Sequence, residues 1–146
     1  MNITEAILKD AKITKVLGAT ATGVTAINTT EVDMSDFECV AFLASIGTAN
    51  AANGLKVQQD VVTGMAGAAD LLGSQILCNG TGTALLSEVI KPLERFVRAV
   101  VIRAGATTTI DAVFAIQWGA RKRPIDNNVT NAQAAEVLVS PAEGTA

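Results

Sequence analysis

Alternation of apolar and polar positions is the dominant pattern in the second half of this chain. The stretch "RFVRAVVIRAG" sets Phe96 and Arg98 on one face of an extended strand and the neighbouring valines on the other. The stretch "TTTIDAVFAIQWGA" alternates in the same way and groups Trp118 with four inward-facing residues, namely Ile110, Ala112, Phe114 and Ile116. The pattern therefore predicts that Trp118 belongs to the core. The short joint "AGAT" predicts that the two strands pair antiparallel.

Further strands and turns precede this pair. The stretch "FECVAFLASIG" is apolar on both faces, which predicts a central strand that is covered on each side. The stretch "LKVQQDVV" alternates and places Leu55, Val57 and Val61 on one face. Between "SQILC" and "TALLSEVI", the letters "NGTG" predict a hairpin turn. The letters "VDMSD" predict a turn in which Asp33 bonds to nearby backbone amides.

The two ends of the chain differ from this body. The pattern over residues 2–10 predicts one short helix, with Asn2 as its cap and with Ile3, Ile7 and Leu8 facing inward. Beyond Pro124 the chain has little to bury apart from Val137, Leu138 and Val139, which predicts an extended arm. Many short strands separated by turns indicate a single all-β domain, an antiparallel sandwich or a barrel. We expect a body over residues 1–125, with residues 1–12 as its N-terminal segment, and an arm over 126–146.

Composition changes the picture from a free monomer to a component of an assembly. Of the 146 residues, 49% are hydrophobic and only 17% are charged, against about 25% charged residues in ordinary soluble domains. So few charges cover an exterior poorly, and we expect burial against neighbours in a homo-oligomer. The net charge of −3 argues against direct nucleic-acid binding. No apolar run approaches the ~18 residues of a membrane span.

Candidate chemistry is sparse. The chain has no His, which excludes Ser-His-Asp and Cys-His nucleophile pairs and every histidine metal site. Cys39 and Cys78 are too few for a structural zinc site, and we expect both to be buried free thiols. The glycine-rich stretches lack the spacing of phosphate-binding and dinucleotide-binding loops. We therefore predict no enzyme, no catalytic residue, no cofactor and no metal site.

Two basic clusters remain. Arg95, Arg98 and Arg103 lie in and beside an apolar strand, where they either reach an interface or lie at a solvated rim. Arg121, Lys122 and Arg123 follow Trp118 directly and precede Pro124. The triplet could contact nucleic acid, face solvent or meet an acidic protein surface. We favour the protein surface, because the chain is acidic and aromatic residues beyond Trp118 do not interleave with the triplet.

Taken together, these stretches resemble a group of small virion proteins of tailed bacteriophages that are encoded beside the major capsid protein. The resemblance lies in the order of features, over most of residues 30–146. It is carried by "DMSDFECVAFLASIGT", by "GTALLSEVIKPLERFVRAVVIRAG" with its Pro and its Arg beside an aromatic residue, by "IDAVFAIQWGARKRPID" with its Gly-Ala-basic-Pro corner, and by the tail "VSPAEGTA".

The resemblance implies a capsid decoration, or cement, protein with a β-sandwich or jelly-roll-like body. Such a protein is assembled in the host cytoplasm and binds the outside of the capsid as a symmetric oligomer, with a trimer favoured and a dimer as the alternative. Its partner is the major capsid protein. The interface residues implied are the two basic clusters and the arm residues Val137, Leu138 and Val139. A glycan- or receptor-binding module on the virion and a connector or tail protein remain alternatives.

Overall fold

The computed structural model describes residues 6–79, 83–103, 108–127, 133–140 and 142–145. Within them the chain forms one helix and eleven strands. The elements are α1 (Ile7–Asp10), β1 (Lys12–Leu17), β2 (Thr20–Gly23), β3 (Ile27–Asn28), β4 (Val32–Asp33), β5 (Cys39–Ile46), β6 (Asn53–Asp60), β7 (Ala69–Asp70), β8 (Ile76–Leu77), β9 (Ala84–Ile90), β10 (Phe96–Arg103) and β11 (Thr108–Trp118).

The strands form two antiparallel sheets that pack as a sandwich, which confirms the predicted all-β fold. Sheet A has the order β1-β11-β5-β9, with β2 also paired to β11. Sheet B has the order β3-β10-β6-β7, with β4 also paired to β10 and β8 to β6. Short strands that share a neighbour count as one interrupted strand. The orders then reduce to 1-8-3-6 and 2-7-4-5, which is the arrangement of a jelly roll.

The core lies between the two sheets and is built from alternate residues of the long strands. Val40, Phe42, Leu55 and Val57 are 0% exposed, and so are the inward aliphatic residues Val97, Ala99, Val101, Val113 and Ala115 of β10 and β11. Burial of each such side chain contributes roughly 1.5–3 kcal/mol. The two sheets are therefore held together by a continuous cluster of aliphatic side chains, which also contains the rings of Phe42 and Phe37.

A bulge in β11 overturns the predicted position of Trp118. The register of β11 against β5 shifts between Ile110 and Ala112. Ile110 points into the core, but beyond the shift the inward residues are Val113, Ala115 and Gln117. The extra residue in the bulge switches the face of every later side chain. Trp118 is therefore half-buried on the outside of sheet A, together with Phe114 and Ile116.

The predicted pairing of neighbouring strands is also wrong in two places. β10 and β11 do not pair, because β10 lies between β6 and the strands β3 and β4 in sheet B, whereas β11 lies between β1 and β5 in sheet A. Likewise β8 pairs with β6 in sheet B and β9 pairs with β5 in sheet A, so the two strands that flank "NGTG" do not pair as a hairpin. Residues 80–82 of that stretch and the joint at 104–107 lie outside the described residues. In this fold most long strands pair with segments that are distant in the chain rather than with the next strand.

The remaining predictions, on one turn, on β5 and on single residues, are confirmed in part. The turn after β4 is confirmed, because Asp33 Oδ1 accepts a hydrogen bond from the Ser35 amide at 2.9 Å. β5 is central in sheet A as predicted, but only its inward face is fully buried. Val61 lies beyond the end of β6 and is 62% exposed, and Ile7 in the helix is 59% exposed. The helix covers Ile7–Asp10, and its predicted cap Asn2 lies outside the described residues.

Candidate functional site

Arg95 lies directly before β10, and its guanidinium is bound by a carboxylate of the same chain. Its Nε and Nη2 donate to the two carboxylate oxygens of Asp33 at 3.0 and 2.8 Å. The guanidinium also lies 5.0 Å from the ring centre of Phe96. The hydrogen bonds from Arg95 lower the pKa of Asp33 to about 2. Arg95 is thus a held, exposed cation at one end of the sandwich.

Arg98 belongs to a polar network on the outer face of sheet B. Its Nε donates to Gln58 Oε1 at 2.9 Å, and Gln58 Nε2 donates to Asp70 Oδ1 at 2.7 Å. Lys56 Nζ completes the network at 2.7 Å from Asp70 Oδ2. Its hydrogen bond is the main cause that lowers the pKa of Asp70. The outer face of sheet B therefore carries polar groups that satisfy one another.

Arg103 points inward from the end of β10 and is only 7% exposed. Its Nε donates to the Thr25 carbonyl at 2.7 Å, and its Nη1 donates to the Ala21 carbonyl at 2.9 Å. The guanidinium also leaves no room for a side chain at Gly23, where an added Cβ would lie 2.9 Å from two of its nitrogens. These contacts tie the segment around β2 and β3 to β10 within one chain.

The basic triplet follows β11 at the end of the body. Arg121, Lys122 and Arg123 are all exposed, and Arg123 Nη1 lies 3.2 Å from Asp10 Oδ1. Arg121 borders an open cleft of about 600 Å³ together with Lys91 and Arg95. Glu38 and Glu94 line the same cleft, so its charges are mixed. The triplet thus offers exposed cations at the same end of the sandwich as Arg95.

The described part of the arm begins on the β1 side of sheet A. Gln133 Nε2 donates to the Ile13 carbonyl at 2.6 Å, and Asn127 Oδ1 accepts from the Ile13 amide at 2.8 Å. Residues 134–136 line a shallow cleft with Leu8, Ile13 and Phe114. Farther along, Leu138 is 65% exposed and Val139 is 71% exposed, while Val137 is half-buried. The predicted arm thus presents apolar side chains to its surroundings.

The outer face of sheet A is the feature that the sequence pattern did not reveal. Cross-strand partners share a face, and the register places Phe114 beside Leu43, Ile116 beside Ala41, and Trp118 beside Cys39. At the β9 edge, Leu86 and Ile90 are each 67% exposed. We call this surface the apolar face, and it comprises Ile13, Cys39, Ala41, Leu43, Leu86, Ile90, Phe114, Ile116 and Trp118.

A chemical centre is not apparent in the part of the chain that the structure describes. No group of three or more Cys, Asp or Glu residues there is arranged to hold a metal ion. Both cysteines are free thiols, but only Cys78 is buried as predicted, at 1% exposure in the core. The prediction is wrong for Cys39, which is half-buried because it points out of sheet A onto the apolar face. No helix among the described residues has the length and apolar character that crossing a membrane requires.

Comparisons of the chain with protein-family models, with curated proteins and with solved structures gave no match. The surfaces themselves are therefore the basis for a functional argument. In the structure Arg95 and Arg121 line one cleft, and Arg98 lies on the outer face of sheet B. Arg103 is buried. A signal for the apolar face was present in the sequence as "FECVAFLASIG", which is apolar at outward as well as inward positions.

Proposed function

We propose that this chain is a structural protein of a tailed-phage virion, a capsid decoration protein that binds the outside of the shell and stabilises contacts between capsomers. It acts without catalysis, cofactor or metal, as a homo-oligomer on the major capsid protein. The resemblance favours a trimer, with a dimer as the alternative. Its place is the capsid surface, after assembly in the host cytoplasm.

The observation that carries this proposal is the division of the molecule into surfaces of different character. One outer sheet face carries a network of polar side chains that satisfy one another, and the other is apolar along its central strands. An arm begins beside the apolar face at residues 133–136 and continues with the exposed side chains of Leu138 and Val139. Extended surfaces of this kind suit contacts with other proteins rather than a small-molecule site. A protein that clamps a shell needs many modest contacts repeated by symmetry.

In this proposal the cleft end of the molecule meets the shell. Arg121, Lys122 and Arg123 are exposed there, and Arg95 lies at the same cleft. Exposed cations steer association with an acidic surface and set its register more than they add affinity. Arg98 and Arg103 act within the chain, by supporting the outer face of sheet B and the β2–β3 segment.

The proposal is tested by co-sedimentation of the purified protein with phage capsids that lack it. We expect saturable binding whose affinity falls with increasing salt. Changing Arg121, Lys122 and Arg123 together to Gln weakens binding about tenfold and flattens the salt dependence. Lys56→Gln, on the polar face of sheet B, is the matched control and leaves binding unchanged. The absence of saturable binding by the unchanged protein contradicts the proposal.

The glycan-binding alternative gains one observation, because Trp118 and Phe114 lie on an outer face rather than in the core. Aromatic rings at a surface can stack on sugars, but sugar sites also need convergent polar groups. The neighbours of Trp118 on that face are Cys39 and Ile116, which offer few donors or acceptors. Saturable binding to a glycan array that Trp118→Ala abolishes would favour this alternative.

A further inference from the structure

The apolar face has a relief that is complementary to itself. Along β11 its outward side chains are large, namely Phe114, Ile116 and Trp118, and they form a ridge. Beside them on β5 the outward side chains are Leu43, Ala41 and Cys39, of which the last two are small. Facing layers pack well where large side chains lie over small ones. The apolar face thus carries both a ridge and a groove that could receive it.

Only one simple two-fold arrangement brings ridge and groove together. If the axis runs parallel to the strands between two stacked copies, it exchanges β11 with β5 and β1 with β9. Phe114 then lies over the partner copy's β5 at Leu43, and Ile116 and Trp118 lie over its small side chains. An axis across the strands would instead stack one β11 ridge on the other. Sheets stack with their strands aligned within about 30° and about 10 Å apart, which the first arrangement satisfies.

The charges at the rim of the apolar face follow the same symmetry. Lys15 lies outward on β1, beside Phe114, and Glu88 lies outward on β9, beside Ala41. Both are exposed, and neither has an ion-pair partner among the described residues. Within one chain they are three strands and one residue pair apart, about 16 Å, and both side chains point out of the same sheet face, so they do not meet. The axis parallel to the strands removes the separation across the strands. It leaves about 7 Å along the strands and one sheet spacing of about 10 Å, so the Cα positions of Lys15 and the other copy's Glu88 are about 12 Å apart and their long side chains, which point toward each other, can meet.

The area of the apolar face is too small for a stable contact by itself, so we expect the arm to contribute to the contact. Four strands and three rows of outward side chains give a footprint of about 19 by 20 Å, on the order of 400 Å² per copy. Two such footprints fall short of the ~1,200 Å² that stable interfaces bury. Residues 134–136 of the arm line a cleft with Ile13 on the β1 edge, and Leu138 and Val139, which follow them in the chain, are exposed. The same axis places β9, with its exposed Leu86 and Ile90, against this edge.

We infer that the apolar face binds a second copy of this chain through a two-fold contact, with β11 over β5, Lys15 near the other copy's Glu88, and the arm closing the edge. The inference deepens the proposed function and rests on its oligomer, for which it selects the dimer. The dimer then offers two clefts with their basic triplets to the shell.

A charge-swap series measured in solution tests this pairing without capsids. The unchanged protein sediments at about twice its monomer mass of 15.0 kDa. Lys15→Glu and Glu88→Lys each raise the dimer dissociation constant about tenfold, because each places like charges opposite one another twice. The double variant restores the original constant. Because the two residues lie far apart within a chain, restoration can come only from contact between chains.

Two further measurements guard against trivial outcomes. Val61→Asp, which adds a charge at a residue 62% exposed outside the apolar face, leaves the mass unchanged. Cys39 reports coverage of the apolar face directly, with buried Cys78 as the internal reference. Reaction of Cys39 with a thiol reagent is slowed about tenfold at protein concentrations where the dimer forms and recovers on dilution.

A monomer or a trimer as the stable species overturns the inference. So does a double variant that is as weakened as the single ones. A dimer that passes these tests but does not bind capsids leaves the pairing in place and contradicts only the proposed function.

Discussion

At the scale of single residues, the structure separates arginines that the sequence could only group. Arg95 is held by Asp33, Arg98 by Gln58, and Arg103 by backbone carbonyls inside the chain. A guanidinium presents several donors in a rigid fork, so one side chain can satisfy several acceptors at once. Sequence spacing predicts which face an arginine shares, but the partner depends on segments that are distant in the chain.

Arg103 gives the clearest prediction at this scale. Replacing it by Met leaves the Thr25 and Ala21 carbonyls without their buried donor, which lowers the free energy of unfolding by about 2–4 kcal/mol. Urea unfolding measures the loss. Arg98→Met, on the outer face of sheet B, is the matched control and costs less than about 1 kcal/mol. Equal losses for the two variants would contradict the structural role of Arg103.

At the scale of elements, one bulge decides which side of sheet A is apolar on the outside. The sequence alternates with the correct period of two before and after Asp111. The register shift between Ile110 and Ala112, however, moves the later even-numbered residues from the inner to the outer face of sheet A. A one-residue insertion cannot be seen in a pattern of period two when both faces are apolar, as they are in "AVFAIQW". The error on Trp118 therefore comes from the composition of β11 and not from a wrong assignment of its strand.

Two isoleucines on β11 test this change of face. Ile110 is 1% exposed in the core, whereas Ile116 is half-buried on the apolar face. We expect Ile110→Ala to lower the free energy of unfolding by about 2–4 kcal/mol and Ile116→Ala by about 1 kcal/mol, measured in dilute protein. Without the bulge the two positions would share a face, so equal losses would contradict the observed register.

The fold class follows from the sequence because many short alternating segments separated by turns leave few other solutions. Strand pairing does not follow, since a short joint between β10 and β11 fits a hairpin as well as a crossing between sheets. What decides between them is that both edges of each strand are already occupied by distant partners. The jelly-roll order is thus a property of the whole chain and is not contained in any one segment.

The exposed surfaces were predictable to different degrees. The triplet, Leu138 and Val139 are exposed, and their role at an interface stays a prediction. The apolar face was not predicted, because the sequence pattern assigned Phe114, Ile116 and Trp118 to the core. The low proportion of charged residues still indicated that some large surface must be covered by another molecule.

At the scale of the whole molecule, we propose that this sandwich works through its surfaces. In this proposal the outer face of sheet B faces solvent, the apolar face pairs two copies, and the basic triplets meet an acidic shell. Each contact is modest, and symmetry multiplies them over the particle. We propose that this multiplication stabilises the shell against the pressure of the packaged DNA.

The temperature at which intact particles release their DNA tests this stabilisation of the shell. We predict that phage particles lacking this protein release DNA at a lower temperature than complete particles, and that adding the purified protein back restores the higher value. The Arg121, Lys122 and Arg123 to Gln variant restores it only in part. Equal release temperatures with and without the protein, under conditions in which it is bound, would contradict the account.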